Sequence, residues 1–272
     1  MSENSKIGIA DHSFSAWSGC SKVNEGCDNC TAEAWARRTG VVRWGPDAER
    51  RRTGSPVWAV PLKLQGRHAA FYAEHGRRQR LFSASLSDVF DNAAPIEWFV
   101  DLLRLIYATP DLDWLLLTKR IGTFHARMGQ ALLALDDAYQ PPGFQEWLEA
   151  WLKGVPPDNV WIGATIVNRE ELLRDGPKLA AVPARVRFWS CEPLLEDLGR
   201  VPAMLLPHWI IAGGESGPHC RPCDLAWLRS LKDEAIAGSV PLFVKQIGGF
   251  PDKREEIEQL PEDLRIRQWP QQ

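Results

Sequence analysis

From residue 80 onward the chain repeats one figure: a short apolar, partly β-branched run, a polar turn, then a stretch with helical spacing of apolar residues. The strand-like runs are RLFSASLSD (80–88), DWLLLTKR (113–120), NVWIGATIVN (159–168), RVRFWSCEP (185–193), HWIIAGGESG (208–217) and VPLFVKQIGG (240–249). Between them lie amphipathic stretches: PIEWFVDLLRLIYATP (95–110), with Pro95 near its first turn, REELLRDGPKLAAVP (169–183), and DLAWLRSLKDEAIAGS (224–239), with Asp224 placed to cap it. Near-continuous apolar strands that alternate with helices predict a parallel sheet covered on both faces. Six such units are visible, or seven elements if KIGIA (6–10) is also a strand. The expected fold class is therefore α/β, a partial or complete parallel (β/α) barrel of about six to seven units.

In such a fold the working face is the C-terminal end of the strands. Polar residues gather at those ends: Ser85, Ser87 and Asp88; Thr118 and Lys119; Thr165 and Asn168; Cys191 and Glu192; Glu215 and Ser216; Lys245 and Gln246. Any one of them could be a capping or turn residue, but six strands ending alike point to a site. Two stretches break the rhythm, a basic one at about 37–79 and a loop at about 129–158 that contains PPGFQEW and GVPPDN. Neither carries a repeat, so the expectation is a single domain over 1–272 with two insertions. A chain of 272 residues with 44% apolar and 25% charged residues buries enough surface to fold without staples.

No run approaches the ~18 apolar residues of a membrane span. The first residues, MSENSKIGIADHSFS, lack the layout of a signal peptide. A cytoplasmic location is expected, and there clustered cysteines signal metal or catalysis more often than disulfides. Three of the six cysteines fall in GCSKVNEGCDNCTAEAW (19–35), spaced Cys20-x6-Cys27-x2-Cys30. A structural zinc site wants four ligands. His12, or the pair Cys220-x2-Cys223, could supply what is missing, although 189 residues separate Cys30 from Cys220. Three ligands suit another chemistry. A [4Fe–4S] cluster normally takes four cysteines; with three, one iron is left for a small molecule to chelate, as in radical S-adenosylmethionine enzymes. Their usual spacing is Cx3Cx2C on a loop after the first strand of a partial barrel. Here the last gap matches and the first is three residues longer. Gly19 and Gly26 stand directly before Cys20 and Cys27, where backbone must bend around a cluster.

The segments WSGCSKVNEGCDNCTAEAWA, SLSDVFD, WLLLTKR, FWSCEPLL, AGGESGP and FVKQIGG, in this order from about residue 14 to residue 250, closely resemble a phage-associated three-cysteine protein family whose motif reads approximately GCxKVSxGCxNCYAE. That family looks like a divergent branch of the radical S-adenosylmethionine superfamily, nearest to spore photoproduct lyase. The resemblance implies a radical-SAM-like barrel, a [4Fe–4S] cluster on Cys20, Cys27 and Cys30, S-adenosylmethionine as second cofactor, and an electron donor as partner. Two departures stand out: Thr31 replaces the family's tyrosine, and the Cys220-x2-Cys223 pair follows GGESGP.

An S-adenosylmethionine site must also meet a carboxylate, a ribose and an adenine. The candidates are Ser87 and Asp88 for the methionine end, Lys119 for its carboxylate, and Asn168 and Glu192 for the ribose, each equally readable as a strand-end hydrogen-bonder. Gly213 and Gly214 could admit a ligand close to the backbone, or serve only as a tight turn. Glu215 and Lys245 end strands next to Glu192 and are the candidate catalytic groups. Cys191 is a candidate hydrogen-atom donor, with a buried packing role as the plainer alternative. Finally, residues 37–80 hold eleven Lys/Arg against three Asp/Glu, a balance of +8 in a chain of net charge −3. Trp35, Trp44, Trp58, Phe71 and Tyr72 interleave with Arg37, Arg38, Arg43, Arg50, Arg51, Arg52, Arg77, Arg78 and Arg80. This is either a solvated surface or a phosphate-facing patch that would hold DNA or RNA. The leading expectation is an enzyme that modifies or repairs a nucleic-acid base; the alternative is a zinc-binding, non-catalytic nucleic-acid-binding protein.

Overall fold

The computed structural model describes residues 8–135, 140–216, 220–248 and 256–271. Its strands are β1 (His12–Phe14), β2 (Trp17–Ser18), β3 (Arg51–Arg52), β4 (Gln79–Ser83), β5 (Leu112–Thr118), β6 (Val160–Thr165), β7 (Val186–Cys191), β8 (Trp209–Gly213) and β9 (Leu242–Gln246). Its helices are α1 (Thr31–Thr39), α2 (Ser55–Gly66), α3 (His68–His75), α4 (Ile96–Tyr107), α5 (Phe124–Leu133), α6 (Phe144–Leu152), α7 (Arg169–Ala180) and α8 (Leu225–Ala237). The main sheet has seven strands in the order β1-β4-β5-β6-β7-β8-β9, and β2 pairs with β3 in a separate antiparallel ribbon. The pairs β1/β4, β4/β5, β7/β8 and β8/β9 are all parallel. This is the expected α/β class in its partial form, because the strand order has two ends.

All six runs expected as strands from residue 80 onward coincide with one, β4 and β5 each starting one residue earlier than expected. They are legible because residues buried on both faces leave an unbroken apolar string: every residue of β6 and of β8 is buried. The first strand is a different matter. Within KIGIA, Lys6 and Ile7 lie outside the described residues, and Gly8–Ala10 are not strand. The strand is the next segment, His12–Phe14, whose His12 Nε2 lies 3.0 Å from Gln79 Oε1. His12 is therefore a hydrogen-bonded core residue rather than a ligand on a loop.

The chain divides into two compact units. One contains the described residues through Ser21, then Trp35–Ile162 and Pro183–Arg185. Here the stretch 37–79 is no mere interruption: it holds α2 and α3, which with β3 form the crossover that the parallel pair β1/β4 requires. In the same way 129–158 holds the end of α5 and all of α6, between β5 and β6. The core of this unit is built on Phe14, Trp17, Trp114, Trp151 and Trp161, all buried. Trp114 donates to Thr109 Oγ1 at 3.0 Å and Trp151 to the Pro183 carbonyl at 2.7 Å, whereas the buried Nε1 of Trp17 has no hydrogen-bond partner.

The second unit contains Lys22–Ala34, Gly163–Val182 and the described residues from Val186 on. Asn168 caps α7 by accepting from Glu171 N at 2.8 Å, and Asp224 caps α8 by accepting from Ala226 N at 2.8 Å. The outer edge of β9 does not face water. Val244 N donates to Ile266 O and Gln268 N to Leu242 O, and Trp269 packs on Trp209 with ring centroids 4.8 Å apart. Covering an edge in this way removes a surface on which another strand could add. Among the described residues no helix is long and apolar enough to cross a membrane.

Candidate functional site

In the first unit, Cys20 follows β2 on a turn shaped by Gly19, whose φ of +100° places it where only glycine is comfortable. A methyl group there would meet Val42 Cγ2 at 2.9 Å. The cysteine carbonyl accepts from Gly45 N at 3.0 Å, while its thiol faces Arg120, whose Nη1 lies 3.3 Å from Sγ. Arg120 also donates through Nη2 to the Ser21 carbonyl and hydroxyl, each at 2.9 Å. Burial pushes the Cys20 thiol up to about 11, with the Asp88 charge adding to it, against the pull of Arg120. The expectation had singled out Lys119 at this strand end; its neighbour Arg120 is the residue that touches the cysteine. No local pattern distinguishes the two in TKR, since the contact spans 100 residues.

Asp88 organises this end of β5. It is buried, and its Oδ1 accepts from Thr118 Oγ1 at 2.6 Å and Phe90 N at 3.0 Å. Its Oδ2 accepts from Lys119 N at 2.9 Å and lies 3.3 Å from Arg120 Nη1. So Asp88, a candidate for the methionine end, has both oxygens occupied by its own strand ends and orients Arg120 over Cys20. Ser87 differs: its hydroxyl oxygen is buried without a hydrogen-bond partner, as is that of Ser83.

In the second unit, Cys27 closes a short 3₁₀ turn (Glu25–Cys27), with Sγ 3.4 Å from Asn24 Oδ1. Cys30 opens α1, its carbonyl accepting from Ala34 N at 3.0 Å. Gly26 lies inside that 3₁₀ turn and is not among the positive-φ glycines, so of the two glycines before cysteines it is Gly19 whose conformation demands one. All six cysteines are free thiols. The strand ends of this unit bring Glu192 and Lys245 together: Nζ lies 3.1 Å from Oε1 and donates to Oε2 at 3.4 Å. Oε1, although inside ion-pair distance, has no hydrogen bond of good geometry. Glu215 is placed elsewhere. It accepts from Asn29 and from Arg221, neither of which the sequence pattern had suggested. Cys191 is wholly buried in β7, and burial, then the Glu192 and Glu171 charges, push its thiol well up. Asn168 spends its oxygen on the α7 cap and donates through Nδ2 to Glu25 Oε1.

Gly213 and Gly214 serve close packing of backbone. A methyl group on Gly213 would lie 2.8 Å from Gln246 O, and one on Gly214 would lie 2.0 Å from Gly248 N. The tight-turn reading of this pair therefore has a structural cause. Gly217, the last residue of GGESG, lies outside the described residues.

A family model described as "Protein of unknown function (DUF5131)" matches residues 4–269. The chain belongs to the DUF5131 family. No curated protein matches it. Among solved structures it is similar to a double mutant of spore photoproduct lyase with bound AdoMet and dinucleoside spore photoproduct, at 12% identity over 94% of this chain and 71% of that one, with a TM-score of 0.41.

The donor set of this DUF5131 chain matches an iron–sulfur cluster in kind and number: Cys20, Cys27 and Cys30 are three unbridged thiols within eleven residues. Among the described residues no group of three or more His, Cys, Asp or Glu side chains is already gathered to hold a metal ion. The basic segment is smaller in effect than its charge count. Arg50 is buried against Asp91, Arg52 pairs with Asp101, Arg77 with Asp11 and Arg78 with Asp113, and Arg80 is buried over the Trp161 ring. Arg37, Arg38, Arg43 and Arg51 are exposed.

Proposed function

We propose that this DUF5131 protein is an iron–sulfur enzyme of the radical S-adenosylmethionine type, acting in the reducing cytoplasm on a nucleic-acid base, with an electron donor as partner and with the phage association of the three-cysteine family. The observation that carries the reading is the Cys20-x6-Cys27-x2-Cys30 loop, with all three thiols free, joined to an all-parallel α/β sheet whose strands end in polar residues. When bound, a [4Fe–4S] cluster on three thiols supplies an open iron for S-adenosylmethionine and the electron that cleaves its sulfonium bond, giving a 5′-deoxyadenosyl radical. The protein's part is to hold and shield. Cys20, Cys27 and Cys30 would hold the cluster. The buried orphan atom Ser87 Oγ supports a polar ligand at its strand end, since an unpaired buried polar atom costs about 1–3 kcal/mol that a ligand hydrogen bond offsets, and the Glu192–Lys245 pair supplies a charged group at another. Lys119, Gly213 and Gly214 complete the cofactor-binding set of this reading, and Lys245 and Cys191 its reactive set; Asn168 and Glu215, whose oxygens are taken by the protein's own donors, hold loops in place instead. The exposed arginines Arg37, Arg38, Arg43 and Arg51 support contact with phosphates.

Anaerobic reconstitution with ferrous iron and sulfide tests the first half. About four irons per chain are expected, with loss of iron in Cys20→Ala and Cys27→Ala and retention in Cys220→Ala. Reduction with dithionite in the presence of S-adenosylmethionine should then release 5′-deoxyadenosine. A colourless protein that holds one zinc, and loses it equally on Cys27→Ala and Cys220→Ala, would sink the reading in favour of a zinc-stabilised binding protein.

A further inference from the structure

Glu215 has no spare capacity. It is 5% exposed, its Oε2 accepts from Asn29 Nδ2 at 2.7 Å, Arg221 N at 2.9 Å and Arg221 Nε at 3.1 Å, and its Oε1 accepts from Arg221 Nη2 at 2.6 Å. Four donors on one carboxylate leave little room for a substrate proton. What these donors have in common is their place in the sequence. Asn29 is one of the two residues between Cys27 and Cys30, and Arg221 is one of the two between Cys220 and Cys223. Arg221 also donates through Nη2 to the Glu25 carbonyl at 2.8 Å and sets Nη1 3.6 Å from Asp28 Oδ2. The middles of two Cys-x2-Cys segments therefore interlock through one glutamate.

The glutamate itself is held from behind. A methyl group on Gly248, just beyond β9, would lie 2.5 Å from Glu215 N, and one on Gly214 would lie 2.0 Å from Gly248 N. The backbone that carries Glu215 is thus pressed against the end of the neighbouring strand. Asn168 at the α7 cap adds a further tether, to the Glu25 carboxylate. The 3₁₀ turn and the residues after it are held at Glu25, Asp28 and Asn29, by Asn168, Arg221 and Glu215.

We propose that Glu215, Asn29 and Arg221 form a clamp that positions the Cys27–Cys30 loop, which makes Glu215 a positioning residue and gives the Cys220-x2-Cys223 segment the task of presenting Arg221. The consequence for a cluster rests on the function proposed above; the clamp itself does not. A loop that must offer two thiols at fixed spacing gains from being set before any ligand arrives. The arrangement also explains why Cys220 need not be a ligand to matter: the residue beside it carries the contact.

The test is residue-resolved thiol labelling of the full-length, reduced, metal-free chain with iodoacetamide, read by peptide mass spectrometry. Because no cluster is present, a failure of cluster binding leaves this experiment standing. Cys27 is 9% exposed, so its labelling requires the loop to open. Glu215→Ala should raise the Cys27 rate by about tenfold or more, as expected for the loss of charge-assisted hydrogen bonds. Asn29→Ala, which removes the Nδ2 donation to Glu215 and leaves Arg221 in place, should raise it about threefold. Glu215→Gln, which still accepts from Asn29, should fall between wild type and Glu215→Ala. Cys20, tied by Arg120, and Cys191, in the core, should keep their wild-type rates in all three variants. An unchanged Cys27 rate in Glu215→Ala and Asn29→Ala overturns the proposal. So does an equal rise at Cys191, which would report general loosening rather than release of one loop.

Discussion

Asp91→Ala tests how the turn beside Cys20 is held. Arg50 Nε donates to Asp91 Oδ2 at 2.7 Å, and the two side chains are 1% and 4% exposed. At that distance and an effective dielectric constant of 20 the attraction is about 6 kcal/mol, most of it offset by the cost of taking both charges out of water. Removing one partner leaves the desolvation of the other uncompensated, a loss of about 3–5 kcal/mol. Arg50 keeps its donations to the carbonyls of Gly45 at 3.1 Å and Ala48 at 2.6 Å, which favours the lower end of that range. For a chain of this size about 3 kcal/mol corresponds to a fall in Tm of about 6–12 °C. Calorimetry on wild type, Asp91→Ala and the double variant Arg50→Met/Asp91→Leu makes the comparison. The double variant should recover part of the loss, because two apolar side chains of similar size leave no buried charge, while Arg50→Met gives up the bonds to the Gly45 and Ala48 carbonyls. A fall of less than ~2 °C for Asp91→Ala, equivalent to under about 1 kcal/mol, would refute the reasoning, as would a double variant no more stable than the single one. The pair matters to the site because Gly45 N donates to the Cys20 carbonyl, so slackening Arg50 slackens the turn over that cysteine.

Two further perturbations address the frame. Gly163 in β6 has no room for a side chain, since a methyl group would lie 2.2 Å from Phe188 Cε2; Gly163→Ala should cost about 1–3 kcal/mol in urea melts and much less in a Phe188→Leu background, and additive losses would contradict the clash. Asp11 is subject to burial, which alone would raise its pKa, but hydrogen bonds from Arg77 and Arg80 N and the charges of both arginines outweigh it and hold the carboxyl below its ordinary range. A depressed folded-state pKa adds stability that is present above the unfolded value of about 3.9 and lost as pH falls through the folded one. Stability measured from pH 5 down to pH 2 should therefore fall less steeply in Asp11→Asn than in wild type, and identical slopes would show that the pair contributes nothing.

The legibility of the chain follows from where each residue finds its partners. Strands β4 to β9 announce themselves because burial on both faces requires an apolar run, and α4, α7 and α8 because one face of each is buried. The first strand is hidden because His12 and Ser13 are polar yet buried, His12 being satisfied by Gln79 across the sheet. Helices α2 and α3 leave little amphipathic signal: only Pro61 and Leu64 of α2 are buried, and α3 buries no residue fully. A basic stretch with a proline inside it therefore reads as an insertion when it is a crossover. Arg120 and Arg221 are invisible for another reason. Their decisive contacts reach across 100 residues to Cys20 and 196 to Glu25, and no local spacing encodes them.

Polar strand ends in a parallel fold are commonly taken as a single signal for an active face, yet these residues divide by what their atoms do. Asp88 and Asn168 have their oxygens taken by the protein's own backbone and side chains, and so does Glu215. Groups satisfied this completely hold loops in place and gain nothing from a ligand. Ser87 Oγ and Gln246 Oε1 are buried and lack a hydrogen-bond partner. A fold keeps such an atom only against a free-energy cost. Position in the sequence cannot supply this difference: Ser87 and Asp88 are neighbours at one strand end, and only their partners tell them apart.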